Sequence, residues 1–338
     1  MMTWDLHIIW YILLAVLLAG YAVLDGFDLG VGILHLGLRT DQERRLGISS
    51  IGPVWDGNEV WLVTFGGALF AAFPEAYATI FSAFYLPFMG LLVCLIMRAV
   101  SIEFRSKFHF GWWRGFWDFG FFASSLVATL LYGVAIGNGM RGLPLDERGE
   151  YVGGLWNLLN GYSLLTGILA VTMFGLHGSL YLQLKTEDKL QARVRNWSWW
   201  WYGSFAIAYA ATTAATGWLH PQSLENFRAA PWAFGIAAIN FAAVAMIPWS
   251  SKSGKIGRAF VLSCVNIACL VALWFVSLFP DLVTSREPTV ASLTIYNAAS
   301  SDTTLQIMLW IAILGMPMVI AYTAVVYWTF RGKVENLY

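Results

Sequence analysis

The sequence is poor in charged residues and in the cysteine patterns of secreted or metal-binding domains. Only 12% of its 338 residues are charged, whereas soluble domains have about a quarter. Its three cysteines, Cys94, Cys264 and Cys269, all lie in apolar stretches and form no Cys-x-x-Cys pair. This pattern excludes a disulfide framework and a paired-cysteine metal site, and it favours buried thiols. Acidic and basic residues balance at 20 each, which gives no support for nucleic-acid binding.

Histidine is scarce too. Of the five histidines, only His177 lies well inside an apolar run. Haem ligation by two histidines needs a second one at matched depth, so we expect no haem or metal site within this chain alone. No basic segment precedes the first apolar run, and we therefore do not interpret that run as a removed signal peptide.

Long apolar stretches are abundant, with 58% hydrophobic residues overall. They predict nine membrane spans at 6–36, 50–73, 78–103, 116–136, 158–184, 199–219, 231–249, 258–279 and 304–330. An all-α polytopic membrane protein follows, because these runs are about twice as long as the strands of a barrel. We predict one membrane domain, with four-helix bundles at 1–144 and 145–282. A peripheral ninth helix and a cytoplasmic tail follow at 283–338.

Basic residues predict the orientation of the nine spans. Only Arg141, Arg148, Arg228 and Arg286 fall on the side of the amino terminus. The other sixteen Lys and Arg residues fall on the opposite side or at helix ends bordering it. The side rich in Lys and Arg is expected to be cytoplasmic. The amino terminus is therefore predicted to be periplasmic and the carboxyl terminus cytoplasmic.

Two pairs of acids lie within the first two predicted spans: Asp25 with Asp28, and Asp56 with Glu59. A carboxylate at bilayer depth costs at least about 2.5–3.5 kcal/mol, so such acids usually have a function and a partner. By the predicted topology, all four lie in the cytoplasmic half. They predict proton or cation handling there.

Other charged residues are expected at the same depth. Arg98 and Glu103 end the third predicted span, where they would supply a supporting ion cluster, and Asp118 begins the fourth. Asp25 and Asp28 are three residues apart on one helix face, so a purely structural ion cluster with Arg98 is an alternative.

A second alternative concerns the other acidic pair. Asp56 and Glu59 fit the spacing of a capping box in a helix that begins late, near Gly57. The sequence does not decide, for either residue, between carrying protons and capping the helix. The glycines beside the acids, Gly26, Gly30 and Gly32 in the first span and 66–67 in the second, predict faces that dock closely against another helix, here or on a partner.

Several motifs together resemble subunit II of the cytochrome bd quinol oxidases. They are Gly26-Phe-Asp-Leu-Gly-Val-Gly32, Trp55-Asp-Gly-Asn-Glu-Val-Trp-Leu62, Arg98-Ala-Val-Ser-Ile-Glu-Phe-Arg105, Gly137-Asn-Gly-Met-Arg-Gly-Leu-Pro144, and His177-Gly followed by Leu182-Gln-Leu-Lys-Thr186. They span roughly the first 190 residues. The short outer connections resemble the branch called cyanide-insensitive oxidases.

The resemblance implies an electrogenic respiratory complex of the bacterial cytoplasmic membrane that oxidises ubiquinol or menaquinol and reduces O₂ to water without proton pumping. In it, subunit I would bind haem b and haem d and the quinol, and this chain would ligate none of them. Asp25, Asp28, Asp56 and Glu59 occupy the motif positions that help carry cytoplasmic protons. Subunit I is the implied obligate partner, alongside membrane lipids and a small single-helix accessory subunit.

Two other functions are kept as alternatives. A proton-coupled transporter would need its own substrate site, often at a broken helix, and Gly315-Met-Pro317 suggests a kink in the ninth span. A haem-free membrane anchor of another quinone-linked complex would share only the hydropathy of this chain.

Overall fold

The computed structural model describes residues 5–334, which form a bundle of long helices. The long helices are α1 (Leu6–Leu34), α3 (Trp55–Ala72), α5 (Tyr85–Phe104), α6 (Gly111–Arg141), α8 (Gly161–Lys185), α9 (Asp188–Leu219), α11 (Ala233–Lys252), α12 (Ile256–Leu278) and α13 (Asp302–Thr329). Shorter helices are α2 (Asp41–Ile51), α4 (Pro74–Ala83), α7 (Leu155–Leu158) and α10 (Glu225–Ala229). Short 3-10 helices occupy His35–Gly37 and Pro221–Leu224.

Seven of the described helices are long and apolar enough to cross a membrane, which confirms an all-α polytopic protein. The two remaining long helices, α3 and α9, occupy the other two predicted ranges. Asp56 and Glu59 lower the hydropathy of α3. Helix α9 has charged residues only in its first two turns, and its remaining length is rich in Trp, Tyr, Ser, Thr and Gly, which are less apolar than Leu, Ile or Val.

The second predicted span, 50–73, is divided in the structure. Its first residues belong to α2, whose start carries a capping box between Thr40 and Glu43. A turn over 52–54 then separates α2 from α3. Pro53 in that turn has no N–H with which to continue the hydrogen-bond ladder of α2. Helix α3 therefore begins at Trp55 rather than at residue 50.

The third predicted span, 78–103, also begins too early. Its first residues belong to α4, where Ala76 and Thr79 are buried and the Thr79 hydroxyl donates to the carbonyl of Gly149 at 3.0 Å. Pro87 lies three residues into α5 and cannot donate to the carbonyl four residues earlier. The chain consequently turns at Phe84 and starts a new helix.

Helix α1 is the centre of the bundle and packs against α3, α6, α8 and α12. Its contact with α8 is a backbone-to-backbone approach. A Cβ on Gly30 would lie 2.1 Å from the carbonyl oxygen of Phe174 and 2.8 Å from Cα of Gly178. Gly32 likewise meets Ser125 on α6. The predicted docking face of the first span is confirmed, with both partners inside this chain.

The long helices alternate in direction between two ends of the bundle. One end, the hairpin end, carries α4 and the antiparallel strands β1 (Asp281–Val283) and β2 (Leu293–Thr294). The other, the α2 end, carries α2 and the last described residues. Helix α13 is the most exposed of the long helices: only Leu305 on it is buried. It continues through Pro317 without a break.

The two predicted four-helix bundles are not separated in the described residues. Helix α8 packs against both α1 and α6, and α12 also contacts α1. The boundary between the two bundles at 144–145 therefore stays a prediction from the sequence.

Candidate functional site

Arg98 on α5 joins acids from two other helices at the centre of the candidate site. Its side chain is 1% exposed, and Nη1 lies 2.8 Å from Oδ1 of the buried Asp25 on α1. Nη2 donates a hydrogen bond to Oε1 of Glu59 on α3. A guanidinium can satisfy two carboxylates because its donors form a planar fork. Three separate helices are thereby tied together through one positive charge.

Asp28, one turn beyond Asp25, belongs to a different branch of the site. Its Oδ2 accepts a hydrogen bond of 2.7 Å from the side-chain amide of Asn58 on α3. The amide oxygen of Asn58 accepts from the hydroxyl of Tyr327 on α13 at 2.8 Å. The other oxygen of Asp28 has no hydrogen-bond partner among the described residues. A buried polar atom of this kind is a place where a proton or a water molecule can bind.

Asp56 and Glu103 lie outside this buried cluster. Both side chains are exposed, and neither forms an ion pair with a described residue. The structure thus brings Asp25, Glu59 and Arg98 into direct contact, places Asp28 beside them, and leaves Asp56 on the outer surface of α3. Glu103 does not join the ion cluster around Arg98.

The capping alternative for Asp56 and Glu59 does not agree with the structure. Helix α3 begins at Trp55, its N-cap residue is Val54, and no side chain caps it. Glu59 is held by Arg98, which approaches from α5, and so it does not reach back to the start of its own helix. Of the two contacts with Arg98 that the ion-cluster alternative expected, the one with Asp25 forms, whereas Asp28 bonds to Asn58 instead.

Two tyrosines extend the polar site away from the α2 end. The hydroxyl of Tyr21 donates to that of Tyr132 on α6 at 2.5 Å, and the two rings meet edge to face. Tyr21 precedes Asp25 by four residues on α1 and therefore lies on the same helix face. This pair is not predicted from the sequence, because a tyrosine in an apolar helix does not by itself indicate a functional site.

A second polar cluster surrounds the buried Asp118 at the start of α6. Its oxygens lie 2.6 Å from Nε2 of His35, 2.5 Å from Nε of Arg105 and 2.7 Å from Nη1 of Arg44. Arg105 also pairs with Asp41 at the start of α2. The sequence placed Asp118 at this depth but did not identify its partners. The cluster therefore joins the 3-10 helix at His35–Gly37 to α2, α5 and α6 at the α2 end of the bundle.

Both ring nitrogens of His177 have partners within the chain. His177 is fully buried, and its Nδ1 lies 2.7 Å from the hydroxyl of Ser263 and its Nε2 lies 3.0 Å from the carbonyl of Val23. The ring also stacks on Phe260 with 4.8 Å between centroids. In residues 5–334, no group of three His, Cys, Asp or Glu side chains is arranged for a metal ion. The role of His177 visible here is to link α8 to α1 and α12.

The chain is similar to known proteins along nearly its whole length. Residues 6–330 match the family model described as cytochrome bd terminal oxidase subunit II. A relative from Escherichia coli K12, cytochrome bd-I ubiquinol oxidase subunit 2, is 38% identical over 98% of this chain and 96% of its own length. Cytochrome bd ubiquinol oxidase subunit 2 from Bacillus subtilis is 34% identical, covering 98% of both chains.

A solved structure has the same fold. The bd oxidase from Geobacillus thermodenitrificans contains a chain that matches with a TM-score of 0.79 at 17% identity, covering 96% of this chain and 98% of that one. At that identity the match supports the fold alone. The family match and the relatives carry the assignment: this chain belongs to the cytochrome bd terminal oxidase subunit II family.

Proposed function

We propose that this subunit of a terminal quinol oxidase conducts cytoplasmic protons through Asp25, Asp28, Asp56 and Glu59 toward the oxygen-reducing site on subunit I. One observation carries the proposal: acids on α1 and α3 converge on Arg98 while Asp56 remains uncovered on the same helix as Glu59. Reduction of one O₂ to two waters consumes four protons and four electrons. A route from the inner side therefore makes the reaction electrogenic without pumping, provided that quinol releases its protons outside.

The orientation that this route requires is part of the proposal. We infer nine crossings, with α3 and α9 spanning the membrane as well, a periplasmic amino terminus and a cytoplasmic carboxyl terminus. The alternation of the nine long helices supports this topology. So does the basic bias, since the four outer arginines all belong to segments at the hairpin end. The membrane is then the bacterial cytoplasmic membrane.

The surface of α3 supports a role at the boundary with subunit I. Asp56 is exposed on a helix whose neighbouring side chains Val60 and Val63 are also exposed, 53% and 72% respectively. An uncovered carboxylate facing lipid would be costly. Three glycines on α3 (Gly57, Gly66 and Gly67) have open space where a Cβ would stand. Small residues let a partner helix approach closely, so we assign this face to subunit I.

Each acid has a distinct task in this account. Asp56 receives a proton at the boundary with subunit I, and Glu59 and Asp25, which both contact Arg98, pass it on within the cluster. Arg98 holds Asp25 and Glu59 in place. Its positive charge compensates their negative charge in a site that water reaches poorly. Asp28, through Asn58, connects the cluster to Tyr327 and the α2 end. Haem b and haem d, which supply the electron and oxygen chemistry, would be ligated by subunit I.

The family assignment disfavours the transporter and membrane-anchor alternatives. A transporter of this kind often has its substrate site at a broken helix. Helix α13 continues through Pro317 and is not broken there. The type of quinone, the cyanide-insensitive branch and the small accessory subunit stay predictions.

Purification of the intact complex tests the proposal. We expect this chain to co-purify with a haem-bearing membrane subunit whose spectrum shows haem d and which takes up O₂ with quinol. Asp56→Asn should lower turnover at least about tenfold while haem content stays near normal. Glu103→Gln is the matched control, because Glu103 is an exposed acid of a neighbouring helix outside the cluster. A stable, colourless monomer with transport activity, or full turnover in Asp56→Asn, contradicts the proposal.

A further inference from the structure

A cavity of about 230 Å³ opens at the α2 end, apart from the Arg98 cluster. It lies between the end of α2, the end of α8 and the segment that follows α13. Its polar lining includes Ser49, Ser50, Tyr181, Lys185, Arg331 and Lys333. A single water needs only about 10–15 Å³ by the same kind of measure, so the cavity accommodates a much larger group.

The charged side chains that the described residues bring to this cavity all have one sign. Lys185, Arg331 and Lys333 line it, and no carboxylate of residues 5–334 does. None of the three forms an ion pair with any of residues 5–334. Three neighbouring positive charges repel one another, most strongly where water is scarce. An anion bound among them would relieve that repulsion.

Neutral partners hold the two lysines in place without neutralising them. Nζ of Lys185 donates to the carbonyl of Phe330 at 2.5 Å. Nζ of Lys333 donates to the carbonyls of Thr186 and Gln183 at 2.6 and 3.3 Å. An ammonium has three N–H donors, so these bonds leave two donors on Lys185 and one on Lys333. Fixed positions with unused donors are what a phosphate group requires.

Ser49 supplies an independent indication of a ligand. The residue is 3% exposed, and its hydroxyl has no hydrogen-bond partner among the described residues although it lines the cavity. Leaving a buried hydroxyl without a partner is unfavourable. The next residue, Ser50, does bond, since its hydroxyl donates to the carbonyl of Gly47 at 2.6 Å. A ligand oxygen in the cavity would satisfy Ser49.

We propose that this cavity binds the phosphate group of an anionic lipid at the cytoplasmic surface. Arg331 stacks over the ring of Trp328 with 4.3 Å to its centroid, an arrangement suited to the membrane border. The outer face of α13 next to it is apolar and uncovered: Val325 and Trp328 are 60% and 66% exposed. This face gives acyl chains a surface beside the headgroup. The inner leaflet is rich in anionic lipids that basic clusters recognise. The cytoplasmic location of this site rests on the orientation inferred under the proposed function, but the site does not depend on the proposed proton path.

Titration of the purified, delipidated complex tests the site. Phosphatidylglycerol, phosphatidylcholine and inorganic phosphate are added separately, and bound molecules are counted by native mass spectrometry. We expect one saturable phosphatidylglycerol site that phosphatidylcholine does not fill. Combining Arg331→Gln with Lys333→Gln should weaken it at least about tenfold. The matched control is Lys107→Gln, an exposed lysine elsewhere at the α2 end, which should leave binding unchanged.

Two single variants keep the test decisive if the double variant fails to assemble. Arg331→Gln changes an exposed side chain, and Ser49→Ala removes only the unpaired hydroxyl. Both should assemble normally and bind phosphatidylglycerol several-fold more weakly. Equal binding in these variants, or no saturable site in the wild type, overturns the proposal. If inorganic phosphate fills the site and displaces phosphatidylglycerol completely at equal concentration, the assignment to a lipid is overturned.

Discussion

Arg98 and Asp25 form a buried ion pair between α5 and α1, with 2.8 Å between Nη1 and Oδ1. Such a pair is weak evidence for stability, because desolvation offsets much of the attraction. Its position is more informative than its strength. Asp28 lies one turn further along α1, and Glu59, to which Arg98 also donates, lies on α3.

The Asp118 cluster is expected to be structural. Asp118→Asn removes the charge that compensates the buried Arg105 and should destabilise the chain by about 3–5 kcal/mol. The measurement is the yield and thermal stability of the assembled complex. Glu103→Gln, an acid exposed at the end of α5, should leave both unchanged. Normal assembly of Asp118→Asn would show that Arg105 finds compensation elsewhere.

Gly30 is expected to be irreplaceable at the crossing of α1 and α8. Gly30→Ala places a Cβ 2.1 Å from the carbonyl oxygen of Phe174, so the two helices must separate. Overpacking of this kind costs about 1–3 kcal/mol or more, and the apparent melting temperature of the complex should fall. Gly217→Ala is the control on α9, because a Cβ there meets nothing within 4 Å. Equal stability of the two variants would contradict the observed packing.

The uncovered face of α3 is expected to bind subunit I. Gly67→Leu adds a bulky side chain where this chain leaves open space, so it should weaken the heterodimer without unfolding this subunit. Co-purification of subunit I measures the effect. Gly203→Leu, at an equally open position on α9, should preserve it. Undiminished co-purification with Gly67→Leu would mean that the face contacts lipid instead.

Glu43 provides a dependence on pH outside the membrane spans. Arg193 donates to both of its oxygens, at 2.9 and 2.6 Å, and holds the pKa of the Glu43 carboxyl below its ordinary value. A depressed pKa in the folded state contributes stability at neutral pH that is lost as the pH falls through that pKa.

Replacing Glu43 should reveal that contribution. Glu43→Gln should lower stability by up to about 1 kcal/mol at pH 7, and the difference from wild type should vanish in acid. Melting temperatures of the complex across this pH range give the measurement. Arg193→Gln should show the same loss, with little further loss in the double variant. Additive losses would mean that the two side chains act independently.

The sequence predicted the helices much better than the partners within the site. Hydropathy located each long helix, because an apolar run of spanning length is a local property. The starts of α3 and α5 were placed too early, since both follow a short helix that is itself partly apolar. The breaks between these short helices and the long helices that follow lie at Pro53 and Pro87. Hydropathy averaged over a whole span does not show the effect of a single proline in an apolar run.

Contacts across the chain could not be predicted from spacing. Asp56 and Glu59 have the spacing of a capping box, yet Glu59 binds Arg98, which is 39 residues away in sequence. Asp28 bonds to Asn58 and, through it, is linked to Tyr327 on the last helix. Residue type and depth identified Asp25, Asp28 and Arg98 as one group. Which of them touch depends on the packing of α1 against α3 and on the reach of the Arg98 side chain from α5.

The most direct test of the proton path is proton uptake during a single turnover. Reduced complex containing Asp25→Asn is mixed with O₂, and a pH indicator follows protons taken from the inner side. The account predicts uptake at least about tenfold slower than in wild type, with assembly and haem content near normal. Unchanged uptake in an assembled Asp25→Asn complex would contradict it and leave the Arg98 cluster a structural one.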